Sequence, residues 1–173
     1  MPVPAAPAAL LAETAARLAA AGARDEALAR LVERRLLGIP RGQAFESLER
    51  VWRLGVLLLG RSGALYATGH TIRIDTPRFD NHQSNLAAER RAVRELALKS
   101  GVAPGDTLNW GAQPLAVPGA ETSRPPDPAG GPLVRRDGRL LVRWMPADPT
   151  ALVPFEPYIA ERAGLLLDPP GGA

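Results

Sequence analysis

VWRLGVLLLGRSGALYATGHTIRI, Val51 to Ile74, is the stretch on which the fold turns. Its first nine residues are apolar at both parities, with Trp52, Leu54, Val56 and Leu58 on one and Val51, Leu57 and Leu59 on the other. That pattern predicts a central strand covered on both faces, because a half-exposed strand would alternate apolar with polar residues. Trp52 and Leu58 should then be among the least exposed side chains. Gly60-Arg61-Ser62-Gly63 reads as a tight turn, and Ala64 to Ile74 returns as a second strand to complete a hairpin.

Outward from this hairpin the pattern changes period. LVRRDGRLLVRW, Leu133 to Trp144, is a second hairpin, with Asp137-Gly138 supplying the positive φ values of a type I′ turn. Between the two hairpins, Asn85 to Ser100 reads as a helix stopped by Gly101, and DTLNW as a short strand. Upstream, PAALLAETAARLAAAG places Leu10, Leu11, Ala15, Leu18 and Ala19 on one helical face, stopped by Gly22. Asp25 reads as the N-cap of a second helix carrying Leu28, Leu31, Val32 and Leu36. Residues 118–131 are a Pro/Gly-rich loop, Glu156 to Leu167 a closing helix, and 168–173 a flexible tail. The expected architecture is one α+β domain over residues 1–173, with residues 1–40 as an N-terminal helical segment. Its centre is an antiparallel sheet of about five strands built on two hairpins, with helices on one face.

Composition limits the chemistry. The 173 residues contain no cysteine, which excludes thiolate nucleophiles, Cys-ligated metals and disulfides. The longest strongly apolar run, GVLLLG, is far too short to cross a bilayer about 30 Å thick. With no secretory pattern at the N-terminus, the expectation is a cytoplasmic chain without a membrane partner. Net charge is +3, with Lys99 the one lysine among 21 basic residues. Thirty Ala, 18 Pro and 17 Gly accompany the Arg excess, as G/C-rich codon usage would produce. Basic and acidic residues are interleaved, which argues against nucleic acid as a partner.

Candidate chemistry gathers in DTPRFDNHQSN, Asp75 to Asn85. One reading makes His82 a general base oriented by Asp75 or Asp80, with Ser84 as nucleophile and Asn81 as an oxyanion donor. The other makes Ser84 or Asn85 the cap of the following helix and gives the Asp and Asn residues to local turns. His82 and Ser84 are close neighbours in sequence, whereas triads assemble from distant segments, so capping is the better account. His70, in phase with Tyr66, Ile72 and Ile74, reads as a partly buried, hydrogen-bonded sheet residue, or in the catalytic reading as a further member converging on a pocket with His82, Asp75 and Asp80. Two histidines cannot make a His₃ site, a site of two His and a carboxylate lacks supporting H-x-H or H-E-x-x-H spacing, and no cofactor motif is present. Arg135, Arg136, Arg139 and Arg143 are the candidates for gripping an anion, or else the solvated face and tip of their hairpin.

Two resemblances bear on function. RELALKSGV resembles the tail of the Nudix box at Arg94, Glu95, Leu96, Gly101 and Val102, but the metal-binding Glu pair is replaced by Leu98 and Lys99, and the upstream Gly and Glu by Asp80 and Leu86. A Leu–Lys pair offers Mg²⁺ no oxygen. Over residues 45–173, segments such as PGDTLNWGAQPL and GPLVRRDGRLLVRWMP make the chain similar to a family of short, uncharacterised proteins from high-GC bacteria, some of them called glutaminase. That name implies amide hydrolysis. None of the five Ser has Lys three residues on, and no Cys exists to form an acyl-enzyme. The expectation is therefore a non-catalytic domain binding a small molecule or a protein, with a small amide or ester hydrolase as the alternative.

Overall fold

In the computed structural model, which describes residues 6–75, 85–119 and 131–169, the elements follow one another in mixed order. They are α1 (Pro7–Ala20), β1 (Glu26–Leu36), β2 (Ile39–Leu54), β3 (Leu57–Gly60), β4 (Leu65–Ala67), β5 (His70–Arg73), α2 (Asn85–Lys99), β6 (Thr107–Trp110), β7 (Gln113–Pro114), β8 (Leu133–Arg136), β9 (Arg139–Arg143), β10 (Leu152–Pro154) and α3 (Phe155–Leu167). The α+β class holds, but the sheet is larger than five strands. Seven strands are hydrogen-bonded in the order β5-β6-β1-β2-β3-β4-β7, and β10-β9-β8 form a separate sheet of three. Nor is the larger sheet wholly antiparallel, since β1 and β6 run parallel. No helix among the described residues is long and apolar enough to cross a membrane.

Contacts divide the chain into two compact units, Met1–Asp25, Val51–Thr68 and Gln113–Ala173 in the first, and Glu26–Arg50 and Gly69–Ala112 in the second. The first unit holds Val51 to Thr68; the return strand expected over Ala64 to Ile74 is broken in two, β4 pairing with β3 and β5 with β6 in the second unit. Val51 to Leu59 is not one strand: it folds back at Gly55 (φ 65°), pairing Leu54 with Leu57 and Trp52 with Leu59. The hydroxyl of Tyr158 fixes this turn, accepting the Val56 N–H at 3.1 Å and donating to the Leu54 carbonyl at 2.9 Å. A Cβ on Gly55 would run into that hydroxyl. Double-sided burial nevertheless stands, with Trp52 and Leu58 both at 0% exposure. The Trp52 ring N–H is satisfied by the Ala23 carbonyl at 3.0 Å. Leu11, Ala15 and Leu18 form the buried stripe of α1, spaced for one helical face, and join Phe155, Ile159 and Ala163 of α3 in the core.

The second hairpin forms as read. Asp137 and Gly138 have φ of 51° and 73°, and Arg136 faces Arg139 across the turn.

The second unit corrects the N-terminal helical segment. Residues 26–36 are strand, not helix. Helical spacing of Leu28, Leu31, Val32 and Leu36 misleads here because a helix preference is worth only tenths of a kcal/mol per residue, about 0.7 at most for ordinary residues, and tertiary pairing outweighs it. Ala27, Leu28 and Ala29 pair with Leu108, Asn109 and Trp110, and the buried Asn109 amide donates to Glu26 at 2.7 Å. Behind them Ala29, Phe45, Ile74, Ala97 and Leu108 make this unit's core. The helix α2 ends as predicted. Gly101 (φ 90°) donates to Leu98 and Val102 to Ala97, both at 3.0 Å, which is the Schellman arrangement.

Candidate functional site

His82, Ser84 and Asp80, the centre of the catalytic reading, lie outside the described residues, as do Asn81 and most of the Pro/Gly loop. Its two described members do not form a reactive pair. Asp75 accepts the Arg73 Nε–H at 3.0 Å on an exposed surface, where such pairs contribute little. His70 is exposed rather than partly buried, and its ring stacks on Trp110 with centroids 5.2 Å apart and planes 25° from parallel. Register explains the stacking, since β5 pairs with β6 and sets His70 opposite Trp110. Gly69 makes the approach possible: a side chain there would strike the Trp110 carbonyl and Gly111.

Among the described residues, no three His, Asp or Glu side chains are grouped to hold a metal ion. Asp148 has its acidity displaced, held below the ordinary carboxylate range by hydrogen bonds from the Thr150 hydroxyl at 2.7 Å and the Thr150 amide at 2.8 Å. Those bonds close a local Asp-Pro-Thr turn. They explain the shift without a reactive role.

The pleat divides the four arginines. Leu133, Arg135, Leu140 and Val142 share the face of the β8–β9 pair that meets the first unit's core, while Arg136 and Arg143 point to the other face and Arg139, beside the turn, lines the edge of the second hollow. Arg143 bends back on its own chain and donates to the Gly131 carbonyl at 3.0 Å. Arg135 instead lines a hollow of about 420 Å³ together with Leu115, Val117, Leu133 and Leu140. An adjoining hollow of about 500 Å³ shares Pro118, Arg135 and Leu140 with it and adds Arg139, Glu156 and the first residues of α1 and α3. Neither helix has a side-chain cap: Ala6 and Pro154 stand at the two N-cap positions. The end of α1 is met by a backbone carbonyl, with the Ala8 N–H donating to Pro118 at 3.3 Å, and α3 carries Glu156 in its first turn.

Arg135 and Arg139 were legible as cation candidates from the hairpin. Leu115, Val117 and Pro118 were not: Pro118 begins the Pro/Gly-rich loop, Leu115 and Val117 precede it, and none carries chemistry of its own. The second unit has a smaller hollow of about 210 Å³, whose lining includes Arg50 and Asp106. Those two charges pair with each other in a two-pronged contact. A hollow of that volume falls below the range of about 300 to 1,000 Å³ usual for ligand pockets.

Comparison of the chain with protein-family models, with curated proteins and with solved structures finds no match in any of the three.

Proposed function

We propose that the protein is a non-catalytic binding domain that takes a small molecule with an apolar body and an anionic group into the paired hollows of its first unit. The observation that carries this reading is the placement of Arg135. It lines both hollows with Leu140, and the first hollow also with the apolar Leu115 and Val117. Ligand sites are commonly apolar concavities with a few directed polar groups, and the two volumes fall in the usual range. Arg139 adds a second cation against the one opposing charge of Glu156, which sits in the first turn of α3 and also offsets that helix's dipole. The balance favours a carboxylate or phosphate over a cation. Cytoplasmic residence is part of the proposal and rests on sequence reasoning alone.

The test is a thermal-shift screen of aliphatic and aromatic carboxylates and organic phosphates. A ligand at a hundred times its Kd stabilises by about 2.7 kcal/mol, whatever its chemistry. Replacing Arg135 by Ala should weaken the best ligand about tenfold or more, the loss of a charge-assisted hydrogen bond. Arg136→Ala should leave affinity unchanged, because Arg136 lines neither hollow. Equal affinity in the Arg135→Ala variant would move the ligand elsewhere.

A further inference from the structure

The far end of the β1–β2 ribbon breaks local rules at several adjacent positions. Every residue from 33 to 43 is exposed. At the apex stand three large aliphatic side chains, Leu36, Leu37 and Ile39, exposed by 55, 95 and 62%. The turn between the strands is Leu37-Gly38, with φ of 51° and 81°. In the other hairpin, Asp137-Gly138 adopts φ of 51° and 73°, with a residue whose short polar side chain tolerates the left-handed region. Leucine has no such compensation. Its presence at Leu37 therefore costs backbone strain and exposes an aliphatic side chain to water at once.

The charges around the apex repeat the conflict. Counting outward from the two-residue turn sets Leu36 across from Ile39 and Arg34 across from Arg41, all on one face of the ribbon. Like charges directly opposite each other destabilise a strand pair. Among the described residues neither Arg34 nor Arg41 enters an ion pair, whereas lower on the ribbon Arg30 meets Glu46 at 2.6 Å. Arg35 has Glu33 at 3.6 Å. Unbalanced positive charge is thus confined to a collar immediately behind an aliphatic tip. Positions where several local preferences fail together are where function is to be sought.

We propose that this tip docks on the surface of an anionic phospholipid bilayer. Leu36, Leu37 and Ile39 enter the boundary between headgroups and acyl chains, and Arg34 and Arg41 meet the lipid phosphates. Such a surface is layered as the ribbon is, negative outside and apolar within, and stable attachment commonly combines an apolar with a basic signal. A second copy of the chain fits less well, since tip-to-tip pairing would set the arginine collar against itself. A nucleic-acid backbone would favour cations spread along the ribbon, where Glu33 and Glu46 stand instead. Surface docking departs from the expectation of no membrane partner but not from the absence of a spanning helix, because lying on a bilayer and crossing it have different requirements. The ribbon belongs to the second unit, so this inference stands apart from the ligand cleft.

The test is co-sedimentation of the full chain with phosphatidylcholine vesicles, with and without phosphatidylglycerol. Binding should require phosphatidylglycerol and fall with added salt. Leu37→Asp should weaken it about tenfold or more, the loss of one inserted leucine, and so should the double variant Arg34→Ala, Arg41→Ala. The melting temperature of Leu37→Asp should hold or rise, because it installs the residue that the other hairpin uses at the same φ; Leu37→Asn is the second variant should Asp fold poorly. Failure of the parent to sediment with phosphatidylglycerol vesicles, or undiminished binding by folded Leu37→Asp or Leu37→Asn, overturns the proposal. Tip-dependent dimerisation or duplex DNA binding without vesicle binding overturns it as well.

Discussion

Tyr158 shows how one hydroxyl on a helix fixes a turn far away in sequence. By accepting from Val56 and donating to Leu54, it satisfies two backbone groups at the point where β2 turns into β3. Tyr158→Phe should cost about 1 to 3 kcal/mol in urea unfolding, since it removes one partner from each of two backbone groups instead of deleting a whole pair. Leu58 is a different case. It is at 0% exposure on the strand face opposite Leu57 and Leu59, and truncation to Ala should cost about 2 to 5 kcal/mol, the upper end applying where the cavity cannot collapse. A loss below about 1 kcal/mol would mean that the site relaxes around the missing atoms or that its burial in solution is incomplete. Both residues were within reach of sequence reading to different degrees. Leu58 declared itself by the apolar run, whereas nothing around Tyr158 indicates which carbonyl its hydroxyl meets.

At the scale of elements, signals that depend on backbone conformation proved legible. Asp137-Gly138 and Gly101 sit at positive φ where the sequence placed them, because few other residues enter that region at low cost. Gly101→Ala should therefore destabilise α2 by about 1 to 2 kcal/mol through conformation alone, since nothing lies within 4 Å of the added methyl. Chemical denaturation of the two proteins measures it, and an unchanged midpoint would show that the Schellman end contributes nothing. Helix-versus-strand choice over residues 26–36 was less legible. Leucines at helical spacing also occur along a strand whose distal end is exposed, as Leu31 and Leu36 show at 39 and 55% exposure. The turn at Gly55 was hidden for the opposite reason: apolar residues surround it on both sides, so periodicity carries no break, and the isolated glycine was the one mark.

For the whole molecule, the proposed ligand cleft and the candidate catalytic loop lead to opposite expectations in one assay. Purified protein should release no ammonia from glutamine above background, because the chain has no Cys and its single Lys, Lys99, has Leu96 three residues before it in place of Ser. Release that follows the protein through purification and disappears in His82→Ala would instead establish the loop as a hydrolytic site. By itself the sequence determined the absence of cysteine chemistry, the α+β class, the two hairpin turns, the burial of Trp52 and Leu58 and the end of α2. Each of these follows from a residue's own chemistry or from the spacing of near neighbours. Only the tertiary structure decided that residues 26–36 are a strand beside β6, that Val51 to Leu59 folds in two, and that Arg135 joins an apolar hollow while Arg136 faces away. Those outcomes depend on pairings between distant segments, such as Leu28 with Asn109, whose free energy exceeds any local preference and which no local pattern encodes.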